Sequence, residues 1–175
     1  MPFAIYHKSP LKMIRLTDEY SLLCKQLTAL LEGDSNPITN LSQFSALIFN
    51  NLEKVNWAGF YLSASDSLLQ LGPFQGQVAC TKIPFGRGVC GTAAKLKQTQ
   101  LVADVDQFEG HIACDSRSRS EVVVPIIVGG QLIGVFDLDS PELNRFDEND
   151  QYGIENLIQI LIELSDFNKA LFFNQ

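Results

Sequence analysis

The sequence is poor in what metal sites and disulfide frameworks require. It holds two histidines, His7 and His111, far apart, and four cysteines, Cys24, Cys80, Cys90 and Cys114, with no CxxC pair. That spacing argues against a structural zinc site. No apolar run approaches the roughly 20 residues that span a bilayer, and the start, MPFAIYHKSP, lacks the continuous apolar stretch of a signal peptide. The expected setting is the cytosol, with no membrane association. Thiols stay reduced there, so cysteines point to metal, redox or catalytic use, or to core packing. Basic residues are also scarce: 13 Lys plus Arg against 20 Asp plus Glu leave a net charge of −7. An acidic chain repels phosphate backbones, so no nucleic acid is expected as a partner. Internal repeats and low-complexity tracts are absent.

What remains is an ordinary globular balance, 46% apolar and 19% charged over 175 residues. It suits one domain able to bury a core without staples. Thr17 can cap a first helix carrying Tyr20, Leu23, Cys24, Leu27, Leu30 and Leu31 at helical spacing, ended by Gly33. Pro37 falls in a linker, and a second helix starts at Thr39 or Asn40, with Leu41, Phe44, Leu47, Ile48 and Leu52 on one face. Strands follow: Asn56 to Ser63, a turn at Ser65-Asp66-Ser67, and a short return strand from Leu68 to Leu71. Gly72 to Gly76 then reads as a loop, and Val78 to Ile83 as a third strand carrying Cys80. The stretch Gly86 to Ala94 opens a short helix that ends near Leu96, and a brief strand spans Thr99 to Val102. A long polar connection, Ala103 to Ser120, holds Cys114. Glu121 to Val128, the turn Gly129-Gly130 and Gln131 to Asp139 form a hairpin. A long amphipathic helix, Phe146 to Phe167, is capped by Asp147. The order describes an α+β domain with helices collected on one face of an antiparallel sheet.

Three features carry chemistry. The first is Pro84-Phe85-Gly86-Arg87-Gly88-Val89-Cys90-Gly91. It fits neither GxGxxG nor a P-loop, and it places Cys90 in the first turn of a helix. The helix dipole favours thiolate there, lowering the pKa; a small packing residue is the equal alternative. The second is Cys114, whose polar flanks leave it accessible. Arg117 and Arg119 would stabilise its thiolate, and Asp115 and Glu121 would oppose it. The third is the strand Val135 to Ser140. Alternation sends Asp137 and Asp139 to one face, and Glu121 starts the neighbouring strand, so three carboxylates can converge. A solvated outer face is the competing reading. Trp57 and Tyr61 share a face of their own strand. An aromatic wall opposite clustered carboxylates suits a small cationic or zwitterionic ligand. Crowding raises carboxyl pKa values and leaves one group able to donate a proton. Cys24 shares the apolar face of the first helix and reads as a buried packing residue.

Several of these segments resemble consecutive motifs of the free methionine-(R)-sulfoxide reductase family. They are Asn56-Trp57-Ala58-Gly59-Phe60-Tyr61, Leu71-Gly72-Pro73-Phe74-Gln75-Gly76, Gly86-Arg87-Gly88-Val89-Cys90-Gly91, Ser120-Glu121-Val122-Val123-Val124-Pro125-Ile126 and Gly134-Val135-Phe136-Asp137-Leu138-Asp139-Ser140. The resemblance implies a single GAF domain, residues 17–175, with N- and C-terminal helices packed on one face of the sheet, behind an N-terminal arm at 1–16. It implies reduction of free L-methionine-(R)-sulfoxide without metal or bound cofactor. Cys114 matches the nucleophile that becomes a sulfenic acid, Cys80 a resolving cysteine, and Cys90 a third site cysteine. Glu121, Asp137 and Asp139 match the substrate-binding carboxylates, and Trp57 and Tyr61 the wall around the methyl-thioether. Thioredoxin is the expected external reductant, and a homodimer is allowed. Two other readings compete. One is a GAF-type sensor of a small ligand, disfavoured for phosphate ligands by the acidic cluster. The other is a redox switch without turnover.

Overall fold

The computed structural model describes residues 15–110 and 117–167. Two helices, α1 (Asp18–Leu31) and α2 (Pro37–Asn51), precede the sheet strands β1 (Trp57–Ser65), β2 (Leu68–Gly76) and β3 (Lys82–Pro84). Helix α3 (Gly88–Leu96), strands β4 (Gln100–Val102), β5 (Ser120–Val128) and β6 (Gln131–Ser140), and helix α4 (Glu148–Leu164) follow. The strands form one sheet in the order β3-β2-β1-β6-β5-β4, every neighbouring pair antiparallel.

Period-two alternation gives this sheet two buried faces. Ala58, Phe60, Leu62, Val122, Val124, Ile126, Phe136 and Leu138 point toward α1, α2 and α4 and join Leu27, Phe44, Ile154 and Leu157 in one core. Phe44, Phe60 and Phe136 meet there edge-on or tilted, with centroids 4.9–5.4 Å apart. Tyr61, Val123 and Val135 point the other way, into a second core closed by Val89, Ala93 and Ala94 of α3. The expected packing of N- and C-terminal helices on one face is therefore present. The broader expectation that all helices collect there is corrected: α3 covers the opposite face.

The helix starts are set by side-chain caps. Thr17 accepts from the Tyr20 amide at 3.4 Å. Asp147 caps α4 in a reciprocal box with Asp150. Helix α2 begins earlier than expected. Asn36 accepts from the Ile38 and Thr39 amides, and Pro37 occupies the first helical position, where its missing N–H costs nothing. The stretch Gly72–Gly76 also departs from expectation, for it continues β2 rather than looping out. Strand β3 pairs only with Leu68–Gln70 of β2, and among the described residues no strand pairs with the part of that edge that holds Pro73. The Pro73 carbonyl accepts from Ser45 Oγ of α2 at 3.2 Å. For the same reason the strand expected at Val78–Ile83 shortens to Lys82–Pro84, and Cys80 lies in the connection before it.

The joint between α1 and α4 is a buried polar contact. Tyr20 is 2% exposed, and its hydroxyl donates to Asp150 Oδ1 at 2.8 Å; Arg145 Nη1 pairs with the same carboxylate at 3.3 Å. Tyr20→Phe leaves that acceptor short of a donor. We expect a loss of about 1–2 kcal/mol of unfolding free energy, read from urea denaturation at constant m-value.

Candidate active site

The site is assembled by register. Trp57 pairs with Asp139 across the β1–β6 ladder, and Asp139 pairs with Glu121 across β6–β5. One row further along, Gly59 pairs with Asp137. Directly opposed residues leave a sheet on the same side, so Glu121, Asp137, Asp139, Trp57 and Tyr61 all rise on the α3 face. The three carboxylates each offer an oxygen within 4.8 Å of the others. Glu121 and Asp137 are buried, at 6% and 7% exposure, and Asp139 is half-buried. The convergence read from alternation is thus present, and a solvated outer face is excluded.

The aromatic wall is a stack of three rings. Trp57 stacks on Tyr61 at 5.8 Å and on Phe74 at 5.3 Å, with interplanar angles of 22° and 15°. The absence of a side chain at Gly59 permits this. A Cβ there would collide with the Phe74 Cβ and lie 2.7 Å from Trp57 Cη2. Phe74 has no place among the expected site residues, because its segment reads as a loop. Its pairing with Gly59 on β2 brings it to the wall.

Burial sets the electrostatics. Glu121 has its pKa raised well above the usual carboxyl range, first by desolvation and then by the charge and hydrogen bond of Asp137. Desolvation also pushes Asp137 up, to about 6, while hydrogen bonds from Cys90, Glu121 and the Leu138 amide hold it back. The two carboxyls titrate as one coupled pair, both held above the ordinary carboxyl range by burial and joined by a hydrogen bond. The buried Asp137 Oδ1 has no hydrogen-bond partner among the described residues. A donor arriving with a ligand would complete it. Tyr61 is raised by its burial and by the same carboxylates, so its hydroxyl stays protonated.

Cys90 does sit in the first turn of α3, and its thiol bonds to Asp137. The expected dipole effect on its acidity is corrected. Cys90 is 5% exposed, and its pKa lies well above the ordinary thiol value, owing to burial first and then to Asp137 and Glu121. Desolvation beside two carboxyls outweighs a half-charge at a helix end. The neutral thiol is a hydrogen-bond donor to Asp137.

The other cysteines separate clearly. Cys80 is half-buried, packs beside the second core and is disulfide-bonded. Cys24 and Cys90 are free thiols. Cys24 is half-buried rather than buried, packs against the first core on the other side of the sheet, and is raised in pKa by desolvation. Cys114 lies outside the described residues. Beside its segment, Arg117 is exposed, and Arg119 lies 4.0 Å from Asp106. Asn56, given no role from sequence, borders the carboxylates: its amide donates to the Asp139 carbonyl at 3.0 Å and its Nδ2 to Ser118 Oγ at 3.1 Å. The carboxylate triangle also has the oxygen-only donor set of a hard cation. No described helix is long and apolar enough to cross a membrane.

The GAF domain family matches residues 39–161. The Escherichia coli K12 protein named free methionine-R-sulfoxide reductase is 45% identical over 156 residues, covering 87% of this chain and 94% of that protein. This chain belongs to the free methionine-(R)-sulfoxide reductase family of GAF-domain proteins. Protein YtsP of Bacillus subtilis strain 168 is 53% identical over 144 residues, 82% of this chain and 88% of its own length. Among solved structures, fRMsr of Staphylococcus aureus in complex with substrate superposes with a TM-score of 0.80 at 48% identity, covering 87% of this chain and 99% of that one.

The raised carboxyl pKa values have a consequence for stability. A buried acid whose folded pKa exceeds its unfolded value binds its proton more tightly when folded. Its favourable contribution is complete below the unfolded pKa and is lost as pH rises through the folded one. For Asp137 that window runs from the ordinary value of 3.8 to about 6. Asp137→Asn removes the titration. Its unfolding free energy should gain on the parent by about 1–2 kcal/mol between pH 5 and pH 8, measured by denaturation at both pH values. A pH-independent difference would show that Asp137 does not carry the shift.

Proposed function

We propose that this protein reduces free L-methionine-(R)-sulfoxide to L-methionine. The observation that supports this best is the proton-sharing pair Glu121–Asp137, buried next to Asp139 and facing the Trp57 stack. A sulfoxide is a weak electrophile until its oxygen is protonated or strongly hydrogen-bonded. Glu121 holds a proton at neutral pH in a dry site and serves as that acid. Asp137 Oδ1 and Asp139 receive the substrate ammonium, and Trp57, Tyr61 and Phe74 surround the methyl-thioether. Cys90 orients Asp137 by donating its thiol proton into the cluster.

The cysteine chemistry follows from the same reading. The Cys114 thiolate attacks the sulfoxide sulfur. The oxygen passes to Cys114 as a sulfenic acid, and methionine leaves as the two-electron-reduced thioether. The Cys80 thiol displaces water from the sulfenic acid and closes a disulfide. Thioredoxin, a dithiol, returns both cysteines to thiols and takes up the disulfide itself. That Cys80 stands in a disulfide while Cys24 and Cys90 do not supports its assignment as the resolving residue. The reaction needs no metal or bound cofactor, and the protein works in the cytosol. An assembly as a homodimer is compatible with it. A phosphate-ligand sensor is disfavoured because buried carboxyls repel anions.

The test is NADPH oxidation with thioredoxin, thioredoxin reductase and free methionine sulfoxide, together with methionine released per enzyme without reductant. Cys114→Ser should abolish even the first release, since a hydroxyl is a far poorer nucleophile than a thiolate near neutral pH. Cys80→Ser should release one equivalent and then stop. Cys24→Ala should turn over within a few-fold of the parent. Release by Cys114→Ser but not by Cys90→Ser would reassign the nucleophile to Cys90.

Glu121→Gln and Asp139→Asn should each lower turnover by about 10²-fold or more, the scale of general acid catalysis. Treatment with EDTA should leave the rate unchanged. Loss of activity on chelation, restored by a divalent cation, would replace the proton donor with a metal at the carboxylate triangle.

A further inference from the structure

Trp57 is the only tryptophan in the chain, and its ring faces do not account for its edge. Its indole Nε1–H donates to the Gln77 carbonyl at 3.0 Å. Gln77 is the first residue past β2, and the segment it opens, residues 77–81, lies outside any strand and carries disulfide-bonded Cys80. At the far end the Leu71 amide donates to the Thr81 carbonyl at 3.0 Å. Between these two bonds Val78 is 86% exposed, while Ala79 and Cys80 pack beside the second core. The entrance to the segment is fitted to the indole. Gly76 has a φ of +124°, and a Cβ there would lie 2.7 Å from Trp57 Cδ1 and 2.7 Å from the Asn56 carbonyl.

We infer that Trp57, besides walling the substrate, is the positioning residue of Cys80. Its N–H fixes the near end of a segment that no ladder holds, and so sets the effective concentration of the Cys80 thiol toward its disulfide partner. A segment outside the strands has more conformations open to it than a laddered one, and each one excluded in advance favours the intramolecular bond. The indole thereby joins the substrate wall to the segment that resolves the oxidised enzyme. This role rests on the reading of Cys80 as the resolving thiol only for its meaning in turnover.

The experiment needs no sulfoxide, so its failure is distinct from failure of the proposed reaction. The full chain is equilibrated with mixtures of reduced and oxidised glutathione, quenched in acid, alkylated and scored by mass for the Cys80 disulfide. In the exchange, two glutathione thiols become one glutathione disulfide, and the protein disulfide gains two electrons and two protons. Trp57→Phe keeps an aromatic ring and loses the N–H. Its disulfide should be reduced at a [GSH]²/[GSSG] ratio about fivefold to tenfold lower than the parent's, the scale of one hydrogen bond. Phe74→Leu disturbs the stack and leaves the indole bond intact, and its equilibrium should stay within about twofold of the parent. A Trp57→Phe midpoint equal to the parent's, or an equal shift in Phe74→Leu, overturns the inference. A second readout covers a Trp57→Phe chain that does not fold. In the parent, reduction by a phosphine should change Trp57 emission, and the same reductant should leave the emission of Cys80→Ser unchanged. No change in the parent, or the same change in both, also overturns it.

Discussion

The site depends on one buried proton. Glu121 and Asp137 come from neighbouring strands and lie one row apart in the register of β5 and β6. Two ionised carboxylates at that depth would repel each other with little water to screen them. Burial raises both pKa values, which favours a shared proton over two charges, and the Cys90 thiol and the Leu138 amide donate to Asp137 as well. Every other part of the site is arranged around that constraint. Helix α3 supplies a thiol where a stronger acid would add a third negative charge. Tyr61 remains a neutral phenol beside the cluster.

The sheet keeps this polar pair apart from the structural core. Helices α1, α2 and α4 cover one face with aliphatic and aromatic side chains, and a polar joint of theirs, Tyr20–Asp150–Arg145, lies at the α1–α4 interface. The α3 face takes the carboxyls, the ring stack and two of the cysteines. A change in protonation or thiol state on the α3 side is thus separated from the main core by the full thickness of the sheet. The same partition explains Cys24. It packs on the structural side, with the sheet between it and the carboxyl cluster.

Alternation made much of this legible from sequence. The pattern Val135-Phe136-Asp137-Leu138-Asp139 alone sends two carboxylates to one face, and Trp57 with Tyr61 follows the same rule on β1. The hairpin turn at Gly129-Gly130 and the caps at Thr17 and Asp147 also lie where local chemistry placed them. The failures share a cause, which is dependence on a partner distant in sequence. Phe74 sits between turn-type residues, Pro73 and Gly76, and only the full-length pairing of β2 with β1 keeps it in a strand. Cys90 reads correctly as a first-turn residue, yet its acidity is governed by burial against the sheet and then by Asp137, more than forty positions away. Helix α3 reads as a helix, but nothing in nine residues tells which side of a sheet it will cover.

That last point bears on how thiol and acid chemistry coexist here. A helix N-terminus favours thiolate, and the carboxyl pair opposes it; at Cys90 burial adds to the carboxyls and the neutral thiol wins. Had α3 packed with the other helices, Cys90 would be remote from Asp137, and the pair would lack a donor that holds its lower-pKa member in place. The position of α3 therefore does two things at once. It closes the second core through Val89, Ala93 and Ala94, and it brings a proton donor to a carboxylate that the sheet has buried. A cysteine so placed is ill suited to nucleophilic attack, because it would have to ionise beside negative charge without solvent. The proposed reaction therefore assigns attack to a thiol outside α3, and the polar sequence that flanks Cys114 suits that role better than the surroundings of Cys90.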